Sequence, residues 1–354
     1  MSVATMFEVK KVASSRIHEI DFDNLKFGKY FADHMFIAEY AHGAWQEAQI
    51  VPFGPLTHSP AMSVLHYGQA IFEGLKAYRQ PDGSVAVFRP EDNFNRFNHS
   101  ARRMCMPELP EEIFMGGLKQ LLNLDEQWVP KTRGSSLYIR PFMYATDEFI
   151  GVRPSETYKF IIFTCPVGVY YNEPIRVKVE KEYSRVADGG IGSAKAAGNY
   201  AAALYPAKLG QEKGYHQLLW TDAKTHEYFE ESGTMNVMFL VNDVLITPQL
   251  GNTILNGVTR RSVIILAEEL GYKVEERKVS VNEIIDALNR GELKEAFGVG
   301  TAATIANIQV IHHEGTDYEL PAIENRKLGP KILSHLTDIR EGQVADKYGW
   351  MIKV

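Results

Sequence analysis

The sequence predicts a two-domain α/β protein, and three observations carry that expectation. The chain has 354 residues, which at ~150 residues per domain is roughly two domains. Short β-prone runs alternate with helical patterns along most of its length. The alternation is interrupted at Pro166 to Pro174 (PVGVYYNEP) by two prolines and a glycine. We therefore expect a first domain over 1–166, a linker over 167–174 and a larger second domain over 175–354.

The elements follow in order. Leu75 to Tyr78 and Val85 to Phe88 flank Gln80-Pro81-Asp82-Gly83, a turn signal that predicts a hairpin. Pro90 opens a helix that carries Phe94, Phe97, Ala101 and Met104 on one face. A second helix is expected from Glu111 to about Trp128, then strands over Leu137 to Tyr144 and Tyr158 to Cys165. The latter strand is apolar throughout, as a strand buried on both faces would be. Met143 to Ile150 reads as loop-like.

Past the linker, Ile175, Val177 and Val179 restart a half-buried strand. A helix near Ala197 to Lys208 precedes strands near Gln217 to Trp220 and Met235 to Val241. The next helix, Thr259 to Leu270, is closed by Gly271, and Ser280-Val281-Asn282-Glu283 reads as a capping box for another.

Composition removes several function classes. Lys plus Arg number 38 and Asp plus Glu 44, so the chain is mildly acidic at −6. It offers no basic stripe for nucleic acid. The longest apolar run, Phe160 to Tyr171, is too short to span a bilayer and contains Pro166. The N-terminal segment scatters charges and builds no apolar core of a secretory signal. Cys105 and Cys165 are the two cysteines, too few for a disulfide framework or a zinc clasp. Together these point to a cytoplasmic protein with no metal site.

No nucleotide phosphate loop, hydrolase elbow or zinc-protease motif is present. Gly298-Val299-Gly300-Thr301-Ala302-Ala303 mimics a dinucleotide fingerprint, but the run Thr304 to Ile311 that follows is β-branched rather than helical. What survives is a glycine turn whose amides could bind an anion. Leu255-Asn256-Gly257-Val258-Thr259-Arg260 runs straight into a helix, a second place for an anion; it also reads as an ordinary glycine turn with a threonine cap.

Gly192-Ser193-Ala194-Lys195-Ala196-Ala197-Gly198 sets a lysine among small residues that could admit a flat ligand; an exposed lysine before an Ala-rich helix is the plainer alternative. Glu230 and Glu231 precede the Gly233 turn and an apolar strand, which is also what a charged hairpin end looks like. Amine, carboxylate and two anion-binding turns within one half of the chain suit pyridoxal 5'-phosphate.

Beyond these features, the chain resembles branched-chain amino acid aminotransferases of the fold-type IV, class-IV pyridoxal-phosphate family. The resemblance runs from about Phe31 to the C-terminal region. It rests on Tyr67-Gly68-Gln69-Ala70-Ile71-Phe72-Glu73-Gly74-Leu75-Lys76-Ala77, Phe88-Arg89-Pro90, Tyr138-Ile139-Arg140-Pro141, Cys165-Pro166-Val167-Gly168 and Glu231-Ser232-Gly233-Thr234-Met235-Asn236. It implies a smaller N-terminal α/β domain and a larger C-terminal pseudo-barrel.

The resemblance also implies roles. Lys195 would hold the cofactor covalently and move the proton between substrate Cα and cofactor C4′, Glu231 would pair with the pyridine nitrogen, and Tyr200 would bond the phenolic oxygen. Arg96, Val258, Thr259 and Thr301 would hold the phosphate. Phe72, Tyr138, Ile150, Val152, Tyr170, Thr234 and Ala302 would wall the substrate pocket, with Arg140 receiving the distal carboxylate of glutamate. Tyr67, Ile150 and Val152 would reach in from the partner of a homodimer.

The implied reaction is ping-pong exchange of an amino group between L-leucine, L-isoleucine or L-valine and 2-oxoglutarate. The alternative on the same fold is a D-amino acid aminotransferase or an aminodeoxychorismate lyase. A cofactor-binding protein without catalysis is a reading of a different class. Some animal relatives carry a redox cysteine pair where this chain has Ala303 and Ala306, so no such thiol switch is expected.

Overall fold

The computed structural model describes residues 7–168 and 173–354, which fall into two compact units. The first comprises the described chain up to residue 168 together with 194–198 and 337–354; the second comprises 173–193 and 199–336.

The first unit is built on a mainly antiparallel sheet. Strands Glu8–Val9, Gln49–Pro52, His34–Ala41, Tyr158–Val167, Ser136–Ala145, Leu75–Arg79, Val85–Phe88 and Met351–Lys353 lie side by side in that order. Tyr158–Val167 is central, paired on one edge with His34–Ala41 and on the other with Ser136–Ala145. Its apolar run is explained by this position, with Phe160, Ile161 and Ile162 all buried.

The expected break at Pro166 does not occur: the strand continues to Val167, with Pro166 opposite Leu137. Pairing with His34–Ala41 is recorded only as far as Phe163, so the proline sits where the strand has run past that neighbour and a missing N–H is tolerated. The expected hairpin forms, with Ala77 opposite Val87. The loop expected from Met143 starts later, because the strand holds to Ala145.

Helix Pro90–Arg103 has proline at its start, Glu91 and Asp92 in the first turn and Arg102 and Arg103 in the last, which complements its dipole. Its buried face carries Asn93, Arg96 and Ser100 alongside Phe97 and Ala101. The single helix expected over Glu111 to Trp128 is instead a π-helical turn at Glu112–Gly116, an α-helix at Gly117–Leu124 and a 3₁₀ turn at Glu126–Trp128. Adjacent Gly116 and Gly117 weaken the ladder at the first change, each costing ~1 kcal/mol against alanine.

The second unit has a sheet in the order Phe229–Ser232, Gln217–Thr221, Ile175–Val179, Thr304–His313, Leu293–Gly300, Met235–Val241, Val244–Pro248 and Lys273–Arg277. Phe229–Ser232 also pairs with Met235–Val241, which closes the first six of these strands into a barrel-like ring. Val177, Leu219, Val237, Phe239, Ile308 and Ile311 supply its buried apolar core.

Helix Ala197–Glu212 runs a turn beyond the expected end, and Val258–Glu269 ends before Gly271, whose φ is 87°. Ser280 is the N-cap of Val281–Asn289 but makes no side-chain capping bond. Glu283 supplies the other half of the expected capping box by accepting the Ser280 backbone N–H, and it also takes hydrogen bonds from Arg277 at 2.9 and 2.5 Å.

The expected second domain differs from the second unit at two places. Residues 194–198 belong to the first unit, where Ala196 bridges Ile71. The chain also returns to the first unit at its end, where Met351–Lys353 pairs antiparallel with Val85–Phe88. That pairing spans more than 260 positions, so no local pattern announces it.

Candidate active site

In the first unit, Lys195 is fixed by its backbone. Its N–H donates to Ser100 Oγ at 2.9 Å and its carbonyl accepts the Phe72 N–H at 3.0 Å. Strand Ala70–Phe72 and the inner face of helix Pro90–Arg103 therefore grip the lysine from two sides. The amine Nζ lies 4.8 Å from the centre of the Phe72 ring.

Arg140 meets the same ring. Its guanidinium carbon is 4.6 Å from the Phe72 centroid and 5.3 Å from that of Tyr138, and Nη2 donates to the Tyr138 hydroxyl at 2.8 Å. Strand alternation puts Tyr138 and Arg140 on one face of Ser136–Ala145. Among the described residues no carboxylate pairs with Arg140, and its buried Nε has no hydrogen-bond partner. A half-buried guanidinium whose buried Nε is unbonded and which has no acid beside it suits an anion that completes it.

Arg96 has a protein partner in addition to any phosphate. Its Nε and Nη2 donate to Glu73 at 2.7 and 2.8 Å, and Asn93 Nδ2 adds 2.7 Å to the same carboxylate. Burial alone would raise the Glu73 pKa, but the Arg96 charge and hydrogen bonds, with help from Lys195 and Asn93, hold it below the usual 4.5. A guanidinium fork is planar, so this pair fixes the direction of its other edge.

The Phe72-Glu73-Gly74 segment explains its own glycine. A Cβ at Gly74 would run into the Tyr138 hydroxyl. Gly74→Ala should push the Tyr138 ring, disturb its bond to Arg140 and cost ~1–3 kcal/mol of stability as an overpacked site. Urea unfolding measures it; a variant as stable as wild type would show that the ring has room.

In the second unit, Glu231 is buried, and its Oε1 accepts the Leu255 N–H at 2.7 Å. Arg185 Nε lies 3.4 Å from the other oxygen. Asn236 faces Glu231 across the hairpin and donates to the Leu255 carbonyl at 2.9 Å. Val258 and Thr259 are buried at the start of helix Val258–Glu269, whose Gly257 N-cap uses no side-chain capping bond. A Cβ at Gly257 would collide with Asn236 Oδ1, so glycine is required for the approach of this turn to the hairpin.

Half-buried Thr301 and exposed Ala302 lie in the turn between Leu293–Gly300 and Thr304–His313, as expected of the glycine turn. Tyr200 is half-buried in the first turn of Ala197–Glu212, and Thr234 is exposed at the hairpin tip. A buried acid held by a backbone amide and an uncapped helix N-terminus fit a phosphorylated pyridine: the acid suits the ring nitrogen and the helix start suits the phosphate.

The remaining expected residues are dispersed. Tyr67, Ile150 and Val152 are 40, 68 and 91% exposed. Tyr170 lies outside the described residues. Sequence reasoning assigned no role to Glu73, Ser100, Arg185 or Phe27. Phe27 packs edge-on against Tyr138 with ring centroids 5.0 Å apart. Glu73 lies between Phe72 and Gly74 in the Tyr67 to Ala77 segment, whereas Ser100, Arg185 and Phe27 depend on partners far along the chain.

A family model described as amino-transferase class IV matches residues 70–311. A protein of Staphylococcus epidermidis described as a "Probable branched-chain-amino-acid aminotransferase" is 46% identical over 339 residues, covering 94% of each chain. Branched-chain-amino-acid aminotransferase 2 of Bacillus subtilis is 43% identical over 348 residues, covering 97% of this chain and 96% of its own. The crystal structure of Escherichia coli branched-chain amino acid aminotransferase superposes with a TM-score of 0.74 at 25% identity, covering 90% of this chain and 98% of that one.

Proposed function

Since the chain belongs to the class IV amino-transferase family, we propose that it is a pyridoxal-phosphate-dependent branched-chain amino acid transaminase, passing the amino group of leucine, isoleucine or valine to 2-oxoglutarate. The observation that carries the substrate reading is the Phe72 ring, with the Lys195 amine 4.8 Å from its centre and the acid-free Arg140 guanidinium 4.6 Å from it. A reactive amine and an anion receptor share one aromatic wall. That suits a pocket which takes an aliphatic side chain in one half-reaction and a second carboxylate in the other.

Pyridoxal 5'-phosphate supplies an electrophilic carbonyl and a ring that withdraws electrons from the substrate Cα. The chain's residues do the rest. Lys195 would take and return the Cα proton, and Glu231 would hold positive charge on the ring nitrogen. By the resemblance, Tyr200 would bond the phenolic oxygen, and Val258, Thr259, Thr301 and Arg96 would hold the phosphate. By the same resemblance, Phe72, Tyr138, Tyr170, Thr234 and Ala302 would line the substrate side chain. Free lysine has a pKa of ~10.4, so proton transfer near neutrality needs its uncharged amine.

The working unit is a homodimer in the cytoplasm. The exposure of Tyr67, Ile150 and Val152 supports the first, since bare apolar side chains of this size suit a covered interface. No described helix is long and apolar enough to cross a membrane.

The test is direct. Protein loaded with pyridoxal phosphate should form glutamate from 2-oxoglutarate with L-leucine as donor; turnover of D-alanine in preference to L-leucine would overturn the proposal in favour of a D-amino acid transaminase. Arg140→Met should raise KM for 2-oxoglutarate roughly 10- to 100-fold, the loss of ~1.5–3 kcal/mol of charge-assisted hydrogen bonding, and change KM for leucine by less than about threefold. Equal effects on both substrates would show that Arg140 shapes the pocket without reading charge.

A further inference from the structure

Arg185 is one of the buried arginines of the second unit, 8% exposed. Its Nη2 donates to the carbonyls of Gly192, at 3.3 Å, and Thr253. Its Nε points at Glu231, 3.4 Å from Oε2, and makes no hydrogen bond. The opposite oxygen of Glu231 is held by the Leu255 N–H at 2.7 Å. The carboxylate is thus gripped from one side by a backbone amide and faced from the other by a full positive charge.

We propose that Arg185 is a positioning residue for the cofactor, acting through Glu231: it holds that carboxylate in place and ionised so that it can pair with the pyridine nitrogen. The inference rests on the reading of Glu231 given above.

The neighbouring charges support this division of labour. Glu230 also lies in the field of Arg185, but it projects to the opposite strand face, is 6% exposed and leaves Oε2 without a partner. Burial raises its pKa, partly offset by a hydrogen bond from Thr253 and by the Arg185 charge. Glu231 is therefore the acid better placed to balance Arg185. The same guanidinium ties Gly192, three residues before Lys195, to Thr253, two residues before Leu255. A Cβ at Gly192 would meet Thr253 Cα at 2.8 Å, so these two backbones already touch. A buried arginine here could serve merely to staple the two loops, which is the alternative to exclude.

A double-mutant cycle separates the two roles. Arg185→Met is made in wild type and in Glu231→Gln, and the equilibrium affinity of each protein for pyridoxal phosphate is measured from its absorption. If Arg185 works through Glu231, its loss should weaken binding about tenfold or more in wild type, because a buried acid stripped of its partner gives up its charge. In Glu231→Gln the same change should cost less than about twofold. Equal losses in both backgrounds would overturn the proposal and leave a loop staple. Should Arg185→Met not fold, Arg185→Lys is run through the same cycle; it keeps the charge but cannot span both carbonyls, so a purely structural role predicts losses of similar size in both backgrounds and the proposal predicts binding within about threefold of wild type in the Glu231 background. Wild-type protein that binds no pyridoxal phosphate would overturn the underlying cofactor reading instead, and the cycle reports that separately.

Discussion

Lys195→Ala should lower kcat with L-leucine and 2-oxoglutarate by at least about 10³-fold while the protein stays folded. A positioned proton-transfer group supplies ~10²–10⁴-fold by itself, and this amine also serves as nucleophile. The fold should survive because the lysine is held by its backbone. Both bonds, to Ser100 and to Phe72, use main-chain atoms of residue 195 that alanine keeps. Glu73 loses one of the positive charges in its field but retains Arg96 at 2.7 Å. Steady-state assay with thermal unfolding checks both parts; a folded variant with a tenth of wild-type activity would remove Lys195 from the chemistry.

Arg96→Ala should destabilise the protein by ~3–5 kcal/mol, measured by urea unfolding without added cofactor. Glu73 is fully buried, and removing its partner strands a charge in low dielectric. Glu73→Leu combined with Arg96→Met should recover most of the loss, since a buried pair replaced by apolar groups of similar volume is often neutral.

The pH dependence has a definite sign. The folded pKa of Glu73 lies below 4.5, so its contribution to stability is present above the unfolded value and is lost as pH falls through the folded one. The gap between wild type and Arg96→Ala should therefore be widest near neutrality and narrow below pH ~4.5 as the carboxyl protonates in both. A gap independent of pH would show that Arg96 acts through packing alone.

These two sites illustrate what could be read in the sequence. The lysine among small residues, the Gly257 turn entering a helix and the hairpin before Met235 are local patterns, and each forms where expected. The Pro90 helix was legible from Phe97 and Ala101, yet its buried face also carries Asn93, Arg96 and Ser100. Periodicity identifies apolar faces and passes over polar residues that turn inward to find partners. Glu73 and Arg96 are 23 positions apart, and Arg185 and Glu231 are further apart still, so only the folded chain pairs them. The C-terminal strand is similar: Met351–Lys353 looks unremarkable alone and becomes an edge strand only because Val85–Phe88 offers a free side. Proline misled at position 166 because tolerance depends on which neighbour a strand has outrun.

The most direct test of the transaminase reading is a single half-reaction. Protein loaded with pyridoxal phosphate is mixed with L-leucine and no 2-oxo acid acceptor, and the products are quantified. A ping-pong transaminase should release one branched 2-oxo acid per active site, retain the amino group on the protein and then stop until 2-oxoglutarate is added. Release of ammonia with continued turnover, or no 2-oxo acid at all, would contradict the account.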